Sequence, residues 1–124
     1  MNTAIWIVQV LLALASGAAG AGKIASTKDK LYSQGMKFVE DFSANTIKAI
    51  GVAELLAALG LILPALTGIM PVLTPVAAVG LMFVQAGAAY THLRRKENGM
   101  VAINAVLFIM AAFVAYGRFV AVPL

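Results

Sequence analysis

Four long apolar stretches constrain this chain more than any other feature. They cover about residues 3–22, 47–66, 70–93 and 100–116 of a 124-residue sequence. At 1.5 Å per residue, about 20 residues of helix reach across roughly 30 Å, the thickness of a bilayer's hydrocarbon core. The first, third and fourth carry no Asp, Glu, Lys or Arg, and the second encloses one acid, Glu54. Backbone N–H and C=O groups in hydrocarbon must be satisfied within the chain, which leaves helices for spans of this length. Composition agrees: 62% of the residues are hydrophobic and 11% charged, against about a quarter charged in soluble domains. A soluble domain of this size would lack the polar surface to cover its apolar mass.

The expectation is therefore an all-α fold, a four-transmembrane-helix antiparallel bundle forming one membrane domain over residues 1–124. The second and third stretches meet at Pro64-Ala65-Leu66-Thr67-Gly68-Ile69-Met70-Pro71, a turn short enough to force a hairpin. The first stretch has small residues resembling a signal-peptidase site at Ala15-Ser16-Gly17-Ala18-Ala19. No Lys or Arg precedes Ile5, so it is read as a retained span. Between spans one and two, residues 26–45 are the one sizeable polar piece. Leu31, Tyr32, Met36, Phe38, Val39 and Phe42 recur there at roughly helical spacing among lysines and acids. That pattern predicts a short amphipathic helix in the headgroup region, with an irregular loop as the alternative; Gly35 weighs toward the latter.

Orientation follows from the basic residues. The loops after spans one and three hold Lys23, Lys28, Lys30, Lys37, Lys48, Arg94, Arg95 and Lys96, whereas the opposite side holds Arg118. Eight against one places those loops in the cytoplasm and both termini in the periplasm of a cell (inner) membrane. Trp6 and Tyr116 then fall near the outer interface. Charges clustered at span ends are topology signals, so the net charge of +4 does not point to nucleic acid; the expected partner is the lipid bilayer. The chain has no cysteine, which excludes disulfides, thiolate-held iron–sulfur clusters and CxxC redox pairs.

A carboxylate inside a span costs several kcal/mol unless protonated or paired, so Glu54 requires a reason. Gly51 and Ala58 share its helical face and allow a neighbouring helix close. On span one, Gln9, Ala13, Ser16, Gly20 and Lys23 form one stripe of small and polar residues. Gln85 and His92 are seven apart and share a face, and Asn104 lies about one turn inside span four. Taken singly, each has a plain role: Lys23 snorkelling to headgroups, His92 at the interface, Asn104 joining helices. Their common depth makes Lys23, Glu54, Gln85, His92 and Asn104 a candidate intramembrane polar site. At least two of Glu54, His92 and Asn104 are expected within direct or one-water reach of each other. No metal is expected, because one histidine and one in-span acid are too few ligands. No catalytic serine–histidine–acid set, phosphate loop or HExxH helix is present.

Several segments, in order, resemble the DoxX-like membrane proteins. They are Ala19-Gly20-Ala21-Gly22-Lys23-Ile24, Gly51-Val52-Ala53-Glu54-Leu55-Leu56, Gly60-Leu61-Ile62-Leu63-Pro64 and Leu73-Thr74-Pro75-Val76-Ala77-Ala78, then His92-Leu93-Arg94 and Asn104-Ala105-Val106-Leu107. The likeness extends from about Ile5 to Gly117. It implies a four-helix membrane protein, usually bacterial; the founding name is associated with a subunit of thiosulfate:quinone oxidoreductase, and distant eukaryotic relatives act as chaperones of receptor assembly. By position, Lys23, Glu54, His92 and Asn104 match recurrent polar positions of that family. The function this favours is a non-catalytic subunit or assembly factor of a membrane complex, with a quinone or lipid pocket and either another protein or a second copy as partner. Two alternatives stay open: an enzyme on a lipophilic substrate with Glu54 and His92 as acid and base, and a small-solute or proton pathway.

Overall fold

A computed structural model describes residues 1–124. It contains helices and no strands. The long helices are α1 (Asn2–Ala25), α3 (Ala44–Thr67), α4 (Leu73–Arg94) and α5 (Asn98–Tyr116); a short α2 (Lys28–Ser33) lies between the first two. Each long helix, counting a wider turn at Gly117–Ala121 as the continuation of α5, contains an 18-residue window with mean hydropathy between 1.4 and 2.2. The four expected spans are present, with ends shifted by a few residues.

Local chemistry sets those ends. Ser43 caps α3 by accepting the Thr46 N–H at 3.1 Å, one of the donors a helix start leaves unpaired. Gly68, at φ +72°, ends the helix in the left-handed conformation and donates its N–H to the Pro64 carbonyl, a stop glycine serves without a Cβ penalty. Pro64 itself lies inside α3 and has no N–H to give Gly60, four residues back. The Thr74 hydroxyl, from α4, donates to that Gly60 carbonyl instead, at 2.9 Å.

The amphipathic segment departs from expectation. Its helix is six residues long, and the chain turns at Gly35, φ +95°, before a 3₁₀ turn over Lys37–Asp41. A left-handed glycine cannot continue an α-helix, so the pattern divides into two turns. Leu31 and Val39, buried with Ile47 of α3, form a small core flanked by Phe38 and Phe42.

The long helices form two closely packed antiparallel pairs, α1 with α3 and α4 with α5, joined through α3–α4 and α1–α5 contacts. Their common core is Leu12, Leu61, Ala78, Leu81, Ala111, Val114 and Ala115. The outer faces are apolar: Leu14, Leu56, Phe83 and Ile109 are 62–76% exposed, an arrangement suited to lipid and not to water. The chain is a multi-pass membrane protein. Its pairs are pinned at the end carrying the α3–α4 hairpin, where Gly60 packs against Ala77 and Gly117 against Ile5 so closely that a Cβ would lie 2.9 Å and 2.6 Å from their side chains. At the other end, the basic end, residues of all four helices line a shared cavity instead.

Candidate functional site

Helix contact builds the site first. Gly20 of α1 and Gly51 of α3 cross with nothing between them: a Cβ on Gly20 would stand 2.5 Å from the Gly51 carbonyl oxygen. One turn further along each helix are Lys23 and Glu54. Lys23 Nζ donates to Glu54 Oε1 at 2.7 Å, with the lysine side chain 14% and the glutamate 5% exposed. The paired lysine removes the need for the buried acid to stand alone as a charge.

The second pair links α4 and α5. Asn104 donates its Nδ2–H to Gln85 Oε1 at 2.9 Å, with both residues buried. Asn104 Oδ1 is buried and has no partner. His92 belongs to a third pair: its Nδ1 lies 2.8 Å from Glu97 Oε1, and its ring meets Phe38 edge-on, centroids 5.2 Å apart. No direct hydrogen bond joins Glu54, His92 and Asn104; each has taken another partner. Glu54 is drawn to Lys23 by the glycine crossing, and His92 to Glu97 by the turn that starts α5.

All five expected residues nevertheless line one cavity of about 1240 Å³ in the basic half of the bundle. Ala15, Ala19, Ala53 and Ala88 are among the small residues of its walls, and Phe38 and Phe42 close it from the 37–42 segment. Phe83, Tyr90 and Ile103 also line it while being 76%, 62% and 51% exposed. The cavity thus reaches the outside of the bundle between helices.

The sequence reading missed what holds the 37–42 segment in place. Arg95 donates to Glu40 at 2.6 Å and to Asp41 at 3.1 Å, and its Nε lies 3.3 Å from Glu97. The hydrogen bonds to Glu40 and then Asp41 push the Arg95 guanidinium above its ordinary range. Charges 54 and 55 positions apart carry no local signal of their pairing.

Arg118 lies at the end opposite the basic loops, as expected, but as a buried network residue and not an exposed flanking charge. It is 3% exposed, donating to Gln9 Oε1 and Asn2 Oδ1 at 2.8 Å and to the Val122 carbonyl at 3.2 Å, with its guanidinium 5.4 Å from the Trp6 ring centre. Gln9 passes the link on, donating to the Leu61 carbonyl at 2.6 Å. This network ties α1, α3 and the end of α5 together at the hairpin end, away from the cavity.

The cavity offers an ion pair, an amide pair and apolar walls. No group of three or more His, Cys, Asp or Glu side chains is placed to hold a metal ion. Neither the curated proteins nor the solved structures include one that matches this chain. A family description does match, that of the DoxX-like family, over residues 7–114, a stretch that takes in Lys23, Glu54, Gln85, His92 and Asn104. By that match, the chain belongs to the DoxX-like family of membrane proteins.

Proposed function

We propose that this protein holds the polar end of a lipophilic ligand, a lipid or a quinone, in the cavity at its basic end. It does so as a non-catalytic subunit or assembly factor of a membrane complex in a bacterial inner membrane. The observation that carries this reading is the cavity itself: about 1240 Å³, apolar-walled, with a few convergent polar groups, the usual anatomy of a small-molecule site. Its route to the bundle's exterior beside Phe83 and Ile103 suits a ligand that arrives from lipid. Eight of nine basic residues lie at or beyond that end of the spans, which supports a cytoplasmic-side cavity in this reading. Glu54 and His92 are bound to different partners, so the geometry lends no support to an acid–base pair.

Native mass spectrometry of the protein released from mild detergent tests the reading. The wild type should carry a bound lipophile. Ala88→Trp and Ala19→Trp, which place an indole into the lining, should lose it while keeping a cooperative thermal transition. A wild type that flies bare, or tryptophan variants that carry as much ligand as the wild type, would remove the cavity as a binding site.

A further inference from the structure

We infer that a small hollow between the end of α1 and the start of α3 holds the phosphate head of an anionic phospholipid. The site lies apart from the large cavity and does not depend on the reading given to it; Lys23 is the one residue that lines both.

The hollow, about 170 Å³ in volume, is lined by Lys23, Lys28 and Lys48, by Ser26 and Thr27, and by no acid. Lys23 is already taken by Glu54 at 2.7 Å. Lys28 and Lys48 form no ion pair, because the other acids of this end are engaged elsewhere: Glu40 and Asp41 with Arg95, and Glu97 with Arg95 and His92. Asp29, beside Lys28 in sequence, is exposed and does not line the hollow.

Lys48 is also held in position. Its Nζ donates to the Ile24 carbonyl at 2.8 Å. That bond uses one of three ammonium donors and covers a carbonyl at the end of α1 that would otherwise repel an anion. Thr27 Oγ1 accepts the Lys30 N–H, which leaves the hydroxyl proton free to donate. Two unpaired ammonium groups and hydroxyl donors around one hollow are the chemistry that recognises phosphate oxygens.

Depth and size select the source of that phosphate. Lys23 is in the last turn of α1 and Lys48 in the second turn of α3, so the hollow lies where the spans meet the headgroup layer. It is well below the roughly 300–1,000 Å³ of sites that enclose a whole small molecule, so it takes a head and leaves the rest outside. On the face of α3 that carries Lys48, the exposed apolar residues Val52, Leu56, Leu59 and Leu63 follow in line, a track for an acyl chain. A head of net negative charge is favoured over a zwitterionic one, which brings its own cation toward two lysines.

The test places the full chain in nanodiscs of phosphatidylglycerol and phosphatidylcholine, equal in amount and in acyl chains, and counts the lipids retained on release by native mass spectrometry. The wild type should keep phosphatidylglycerol about fivefold or more over phosphatidylcholine, on the order of what one lysine near an anionic surface supplies. Lys28→Gln/Lys48→Gln, which keeps a donor for the Ile24 carbonyl, should melt like the wild type and bring the ratio close to one. Lys30→Gln/Lys96→Gln removes the same charge from exposed positions outside the hollow and should leave the ratio near the wild-type value, as should Ala88→Trp in the large cavity. Equal retention of the two lipids by the wild type overturns the site. A preference that survives in Lys28→Gln/Lys48→Gln, or that falls as far in Lys30→Gln/Lys96→Gln, overturns the assignment to the hollow in favour of diffuse surface charge. Inorganic phosphate separates the sources: in discs of phosphatidylcholine alone, a phosphate adduct on the wild type that Lys28→Gln/Lys48→Gln lacks would give the hollow to a free anion and overturn the lipid.

Discussion

Gly20 and Gly51 touch backbone to backbone: a Cβ on Gly51 would stand 2.8 Å from the Gly20 carbonyl oxygen and equally close to Lys23 Cβ. That crossing is what lets Lys23 reach Glu54, since Lys23 Cβ lies against Gly51 and Glu54 Cβ against Gly20, where any other residue would put a Cβ 2.8 Å and 3.2 Å from them. Gly20→Ala should therefore force α1 and α3 apart and lower stability by about 1–3 kcal/mol, the usual cost of overpacking. Gly22→Ala is the control, because nothing lies within 4 Å of a Cβ there; it should be neutral or slightly stabilising. Thermal melts in detergent compare the two, and equal melting would mean that the helices are not held at this crossing.

Replacing Glu54 probes the ion pair itself. Gln keeps an oxygen for the Lys23 ammonium, whereas Leu leaves that cation without its partner. Glu54→Leu should melt lower than Glu54→Gln, the gap corresponding to about 1–3 kcal/mol. Adding Lys23→Met to Glu54→Leu should recover part of the loss, because an apolar pair replaces a broken one. If the Gln and Leu variants melt together, the 2.7 Å contact contributes nothing.

Thr74 and Pro64 form a second testable couple. Thr74→Val should cost about 1–3 kcal/mol by leaving the Gly60 carbonyl without a donor. In a Pro64→Ala background the restored backbone N–H can serve that carbonyl, and Thr74→Val should then cost clearly less. A double-mutant cycle measures the difference; strict additivity would show that Thr74 does not replace the proline's missing donor.

At the basic end, Arg95 holds the 37–42 segment through exposed acids, so the clasp is open to screening. Arg95→Ala should raise hydrogen exchange and protease cleavage across residues 36–42 several-fold. In the wild type the same protection should weaken as salt rises from about 0.05 to 0.5 M. The Arg95 shift is upward, so its contribution is complete below the ordinary guanidinium range and is lost only above it. Raising the pH from about 7 to 9 should accordingly leave the cleavage pattern unchanged. Salt-independent protection would assign the hold to Phe38 and Phe42 instead.

Orientation has a direct assay. A reporter active only in the cytoplasm should be silent when fused after Leu124 and active when inserted between Ser26 and Lys28. The reverse pattern would turn the protein over in the membrane without altering the four-helix fold.

Helical periodicity carried the reading of the sequence a long way. Of the stripe Gln9, Ala13, Ser16, Gly20 and Lys23, Gln9, Gly20 and Lys23 do meet α3, and Gln85 and His92 are both buried on α4, because residues three, four or seven apart fall on one side of a helix whatever surrounds it. The rotation of each helix about its neighbour is another matter. Whether Glu54 meets Lys23 or His92 depends on where α1 and α3 cross, which two glycines decide. The Arg118–Gln9 and Arg95–Glu40 contacts, 109 and 55 positions apart, are products of tertiary packing with no trace in local spacing. Gly35 was readable as a weakness in the amphipathic helix, and it became the break.

The position of the cavity at one end of the bundle has a consequence for how occupancy by the proposed lipophile would be counted. A cavity confined to half the thickness of the bundle is adjacent to a single leaflet. Molecules dissolved in the opposite leaflet must flip before they can compete for it. The relevant concentration is then a mole fraction within one monolayer, not an amount per volume of cell. If the cavity takes a lipophile as proposed, two membranes of identical overall composition but different sidedness would load this protein to different degrees.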